Sequence, residues 1–330
     1  VQNDQDVFGG FKHGTMVLSC IAGRYGDTLM GMAPKAEFLL ARTERLFGEG
    51  IGEEENWVAA MEWADRMGAD IINNSLGYTY QRYFPEEMDG KTSLVARSAN
   101  IAARKGMLVI SAAGNEGTNK WKTIGSPADA DSVLTVGGIS PRRGYHASFS
   151  SYGPTADKRL KPNVSAYGHV MAANQRGYTQ TQGTSFSSPL VTGFAACLLE
   201  QNPDWTNTEL KKKIEESASL HPYFDYAHGY GVPSALYFTG HHDTASTFRL
   251  KKEDQELKVQ IKDAYWEPSD TINPNLFERD GTALFQSNIL NPNPIGQKRP
   301  LLYYHIQNAA GYLNKYSVIR VTQTNPLSID

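Results

Sequence analysis

The sequence predicts an α/β protein: a parallel sheet with helices on both faces, followed by a small antiparallel β domain. Three observations carry that expectation. Short apolar runs alternate with helical segments as far as residue 238. Several of those runs are too uniformly apolar for half-exposed strands, which fits a sheet buried on both faces. Beyond Gly240 the helical period gives way to two-residue alternation, broken by turns such as Asn291-Pro292-Asn293-Pro294.

The elements follow in order. Residues 12–23 read as a helix that is apolar nearly all round, hence buried. Gly31-Met32-Ala33-Pro34 is a turn, and Glu37 to Arg42 a short strand. Trp57, Val58, Met61, Trp63 and Ala64 recur at helical spacing between Glu54 and Met67, and Gly68 stops that helix. Asp70 to Leu76 is a strand, 93–105 a helix halted by Gly106, and Met107 to Ala113 and Val133 to Val136 two further strands. Gly183-Thr184-Ser185-Phe186-Ser187-Ser188-Pro189 then runs from a small-residue turn into an apolar helix, with Pro189 expected in its first turn. Phe248 to Leu250, Leu257 to Ile261, Leu302 to Ile306 and Tyr316 to Val321 read as strands of the second unit. The expected partition is residues 1–239 as the larger domain and 240–330 as a β-rich accessory domain. The last strand is followed by a short tail only, so that domain is expected to be incomplete.

The bulk numbers narrow the function classes. A chain of 330 residues accommodates a large domain and a smaller one. Hydrophobic residues make up 40% and charged residues 20%, as in globular domains. With 32 basic and 35 acidic residues the formal charge is −3, which points to neither nucleic acid nor an anionic membrane as partner. No stretch approaches the roughly 18 apolar residues of a membrane span. Cys20 and Cys197 read as buried thiols used as small hydrophobes, with a disulfide as the alternative. His241-His242 lacks a third ligand at metal spacing, so neither metal nor cofactor is expected. The N-terminus has no basic start and no apolar signal core, and reads as the polar surface segment of a fragment.

The chemistry gathers at four places. Ser185 sits where unpaired backbone N–H groups and a positive helix end favour negative charge, so a hydroxyl there is set to attack a carbonyl. Serine needs a base, and His13, before Gly14 and Thr15 at the start of a buried helix, is the candidate. Asn115 follows the strand ending Ser111-Ala112-Ala113-Gly114 and is suited to donate to an oxyanion. Ser75, Leu76 and Gly77 end another strand whose open edge suits pairing with an extended peptide. Each also has an ordinary use: Ser185 as an N-cap, His13 as a surface residue, Gly114-Asn115 as a turn.

Taken together, His13-Gly14-Thr15, Ser75-Leu76-Gly77, Ala112-Ala113-Gly114-Asn115-Glu116-Gly117 and Gly183-Thr184-Ser185-Phe186-Ser187-Ser188-Pro189 resemble the subtilisin-like serine proteases. Gly31-Met32-Ala33-Pro34, Phe149-Ser150-Ser151-Tyr152-Gly153 and Lys161-Pro162-Asn163-Val164 support the match, which covers about residues 11–235. The resemblance implies a subtilisin-like sheet and a serine endopeptidase acting through an acyl-enzyme on Ser185, with His13 as general base. Asn115 and the Ser185 N–H would form the oxyanion hole. Ser75, Leu76, Gly77, Ala112, Ala113 and Gly114 would line the substrate cleft. It also implies an extended polypeptide substrate, a monomer, and an extracellular or cell-surface location. The alternative is a non-catalytic peptide-binding member of the same fold.

Several departures qualify the resemblance. Asp4 and Asp6 are the only acids before His13, and neither follows an apolar run, so the triad Asp is expected upstream of Val1 and the fragment is expected to be impaired. The segment Gly23 to Asp27 is short where many relatives carry a calcium loop. Asn163 stands where an acid is usual, with a local effect expected. Tyr78 to Gly90 reads as an insertion at the cleft rim that either shapes specificity or, as favoured, is an inert surface loop, and Trp121 is left open between pocket and surface.

Overall fold

The run Leu108-Val109-Ile110 explains the architecture, because its side chains alternate between two cores. In the computed structural model, residues 12–44, 50–141, 146–174, 177–221, 224–240, 248–253, 256–261, 301–307 and 314–320 are described. The chain opens with α1 (His13–Ala22) and a short hairpin, β1 (Arg24–Tyr25) and β2 (Thr28–Leu29). Then come α2 (Ile51–Arg66), β3 (Ile71–Asn74), α3 (Leu94–Arg104), β4 (Leu108–Ala112), β5 (Leu134–Ile139) and β6 (Val164–Tyr167). A hairpin of β7 (His169–Asn174) and β8 (Gly177–Gln182) leads into α4 (Thr184–Gln201) and α5 (Asn207–Glu216).

Strands β3, β4, β5 and β6 form one parallel sheet in that order, with Asn73 opposite Ile110, Ile110 opposite Leu134 and Val136 opposite Val164. Leu108, Ile110, Leu134, Val136 and Val164 face α4 and α5 through Val191, Ala195, Leu198, Leu210 and Ile214. Val109 and Val133 face the other way, onto Trp57 and Met61 of α2 and Val95, Ala96 and Ala99 of α3. The sheet is therefore covered on both faces, as its uniformly apolar strands demand. Local signals set the helix ends. Ser93 caps α3 by accepting from the Ala96 N–H at 3.0 Å, and Thr206 and Glu209 form a reciprocal capping box on α5.

Two expectations need correction. Glu37 to Arg42 is not a strand; it joins no ladder among the described residues, and Phe38, Leu39 and Leu40 are 37%, 42% and 38% exposed. An apolar run becomes a strand only where a neighbour supplies backbone partners. Pro189 lies inside α4 rather than in its first turn. The segment from Tyr78 to Gly90 runs along the surface, with Tyr80 and Phe84 exposed, and is anchored at both ends. Tyr78 and Met88 are buried, Tyr78 exchanges backbone hydrogen bonds with Ser126, and Gly90 donates to Asp129 Oδ2 at 2.7 Å. Glu54, fully buried in α2, accepts from the Tyr83 hydroxyl at 2.8 Å and pairs with Arg82 at 2.8 Å. Burial first, and Glu54 second, push the Tyr83 phenol up to about 12.

Trp121 is buried too. Asn163 is tied into a buried polar knot: its Oδ1 accepts from the Thr135 N–H at 2.8 Å and from Lys161 Nζ at 3.0 Å. Both cysteines are free thiols, Cys20 buried and Cys197 partly exposed. In the C-terminal region β9 (Phe248–Glu253) pairs antiparallel with β10 (Glu256–Ile261), and β11 (Leu301–Gln307) with β12 (Asn314–Arg320). The remaining residues of the expected accessory domain, and Asp4, Asp6, His241 and His242, lie outside the described residues. No described helix is long and apolar enough to cross a membrane.

Candidate active site

The candidate residues come together at the carboxyl ends of β3 and β4 and the N-terminal ends of α1 and α4. Open parallel sheets keep their ligand sites at the same end of the strands. Packing explains the approach of α1 to α4: Met16, Val17 and Cys20 share a core with Phe186 and with Ala172 of β7. His13 is the first residue of α1, and its ring meets the edge of Phe186, the neighbour of Ser185, at 6.1 Å between centroids.

Ser185 is tied to the end of β3 by a crossed pair of hydrogen bonds. Its hydroxyl donates to the Ser75 carbonyl at 3.2 Å, and the Ser75 hydroxyl donates to the Ser185 carbonyl at 2.9 Å. Pro189 gives the second bond its reason. A proline has no N–H for the carbonyl four residues earlier, which here is that of Ser185. Ser75 supplies the missing donor. The Ser185 hydroxyl therefore rests on Ser75 and is not hydrogen-bonded to His13.

Asn115 is oriented by α4. Its Oδ1 accepts from the Thr184 N–H at 2.9 Å and the Thr184 hydroxyl at 3.1 Å, which turns Nδ2 outward as a donor. The Phe186 N–H donates to the Gly183 carbonyl at 3.0 Å. Among the described residues, the Ser185 N–H has no acceptor, so it and Nδ2 are the donors left at this helix end. Two glycines permit the arrangement. Gly183 adopts φ 142°, and Gly114 adopts φ 107°, where a Cβ would meet Ser151 Oγ at 2.8 Å.

Behind the site lies a polar junction with no counterpart in the sequence reading. Asn73 Oδ1 accepts from the Ser188 and Thr192 hydroxyls of α4 at 3.1 and 2.9 Å. Asn74 accepts from Trp57 Nε1 at 2.9 Å and donates to Ser111 Oγ at 2.8 Å. Two amides thus join α2, β4 and α4 to the end of β3. Two asparagines closing an apolar strand were the available signal. Ser75 and Leu76 are half-buried and Gly77 exposed, while Ala112 and Ala113 are buried and Gly114 half-buried. A second residue not foreseen is Glu44, whose Oε2 lies 4.0 Å from His13 Nδ1. Among the described residues no group of His, Cys, Asp or Glu could hold a metal ion.

A profile of the subtilase family matches residues 2–231. The chain belongs to the subtilase family. This subtilase is 33% identical over 212 residues to Subtilisin DY of Bacillus licheniformis, an overlap of 64% of this chain and 71% of that protein. To Subtilisin E of Bacillus subtilis (strain 168) it is 32% identical over 214 residues, which is 64% of this chain and 51% of that relative. The chain therefore spans about half the length of some of its curated relatives. Among solved structures, Sphericase superposes with a TM-score of 0.56 at 26% identity, over 67% of this subtilase and 77% of that chain. The fold is subtilisin-like, and the family and relatives it matches are those of subtilisin.

Proposed function

We propose that this subtilase is an endopeptidase whose nucleophile is Ser185 and whose general base is His13. The observation that supports it best is the convergence at the α4 N-terminus. The Asn115 amide is held by the Thr184 N–H next to Ser185, whose hydroxyl rests on Ser75 and whose N–H has no acceptor among the described residues. In the reaction His13 Nε2 takes the Ser185 proton as Oγ bonds to the scissile carbonyl carbon. The carbonyl oxygen becomes negative between Asn115 Nδ2 and the Ser185 N–H, and charge develops there only as the transition state forms. The imidazolium then passes its proton to the leaving amine, giving the acyl-enzyme, which water hydrolyses by the reverse sequence. Before attack, the Ser185 hydroxyl must turn from the Ser75 carbonyl toward the imidazole.

The substrate is a polypeptide lying extended along Ser75, Leu76 and Gly77, with Ala112, Ala113 and Gly114 opposite. Glu44 is farther from Nδ1 than a hydrogen bond reaches. Glu44 is therefore not assigned as the triad acid. The accessory role of residues 240–330, a monomeric state and an extracellular or cell-surface location belong to the same proposal. A serine-directed fluorophosphonate probe on the longest natural chain tests it: labelling on Ser185, lost in Ser185→Ala and slowed in His13→Ala, is the expected result. An unlabelled Ser185 in a folded protein favours the peptide-binding alternative.

A further inference from the structure

We propose that Glu44 selects substrates with a lysine or arginine within two residues of the scissile bond. The inference rests on the peptidase reading above and deepens it. Glu44 Oε2 lies 4.0 Å from His13 Nδ1, with the two side chains 41% and 33% exposed. No lysine or arginine among the described residues pairs with it. A carboxylate thus stands beside the base, partly exposed and, among the described residues, without a fixed cation.

Its position is set, not incidental. The preceding residue, Thr43, is buried, and its carbonyl accepts from Asn56 Nδ2 of α2 at 3.2 Å. Glu44 therefore projects from a pinned backbone. Proton transfer requires the imidazole within hydrogen-bond reach of Ser185 Oγ. The peptide bond under attack then lies against the ring, and the residues on either side of it follow at roughly 3.4 Å per residue in an extended strand. Lysine and arginine carry their charge on long flexible stems, which lets a flanking residue reach past the ring to Glu44. A substrate carboxylate in the same place meets repulsion. At partial exposure, such a contact is worth about 1.5- to fivefold in kcat/KM.

The test is a set of fluorogenic peptides differing only in whether lysine, norleucine or glutamate occupies each of the two positions on either side of the cleaved bond. The enzyme is the longest natural chain, with Glu44→Gln and Glu44→Lys variants. The expected result is a lysine-over-glutamate preference at one position, reduced to near unity in E44Q and inverted in E44K. Ratios of kcat/KM within each variant cancel any general loss of activity. Fluorophosphonate labelling of Ser185 runs in parallel. Labelled, active enzyme whose preference is the same in all three proteins overturns the role of Glu44 alone. Absence of both labelling and cleavage in the natural chain overturns the peptidase reading and this inference with it.

Discussion

Replacing Ser75 by alanine removes the donor that serves the Ser185 carbonyl, and the cost should depend on what stands at position 189. In the native chain Pro189 has no N–H to offer, so the carbonyl relies on Ser75 Oγ at 2.9 Å. Ser185 is 9% exposed, and a carbonyl orphaned there costs about 1–3 kcal/mol. With alanine at 189 the helix supplies its own N–H, and losing the Ser75 hydroxyl then costs only the ordinary net value of a hydrogen bond, about 0.5–1 kcal/mol. The coupling between the two positions is accordingly about 0.5–2 kcal/mol. Urea unfolding of the wild type, Ser75→Ala, Pro189→Ala and the double variant measures it. A coupling below about 0.5 kcal/mol, the scatter expected of independent sites, refutes the argument that serine replaces the missing helix donor.

Three further outcomes are expected. Asn115→Ala should lower kcat by about 10²–10³ with KM little changed; this magnitude is taken over from the subtilisin example of oxyanion-hole loss, and peptide hydrolysis checks it. Asp129 is buried, and burial lifts its carboxyl to about 6, so the folded state prefers the protonated form; stability is full below the unfolded pKa near 4 and falls as pH rises to about 6. Asp129→Asn should therefore gain up to about 3 kcal/mol relative to wild type between pH 4 and pH 8, and a gain independent of pH contradicts this. Glu54→Ala strands Arg82 and the Tyr83 hydroxyl and should cost about 3–5 kcal/mol in denaturant unfolding, whereas the apolar set Glu54→Leu, Arg82→Met and Tyr83→Phe should come close to neutral.

The legible parts of the molecule are those in which neighbours in sequence decide the outcome. The β4 run and the turn into Ser185 carry their own periodicity and turn chemistry, so strand and helix were readable within a residue or two. The β7–β8 hairpin was not read: β7 shows mixed burial, and β8 alternates between half-buried and exposed positions but with polar Thr and Gln in place of apolar residues. Glu37 to Arg42 has strand composition and no ladder, since pairing depends on a partner distant in sequence. The same limit applies at the site. Ser185, His13 and Asn115 stand out by local context, whereas Glu44 acquires meaning only when folding brings it to His13. Pro189 looks like a helix-start residue until the position of Ser75 shows how its missing donor is replaced.

The pair Asn73 and Asn74 carries a consequence for how the protein ages. Asparagine is chemically fragile when heated. Here the Asn74 amide is buried and the Asn73 amide half-buried, both held by hydrogen bonds to α2, β4 and α4 while the junction is closed. Warmth that opens the junction even briefly exposes them. Conversion to aspartate would leave a negative charge where Ser188, Thr192, Trp57 and Ser111 now close around a neutral group. Re-closure would then be blocked, so loss of activity on storage should become permanent in step with a mass change in the peptide bearing these two residues.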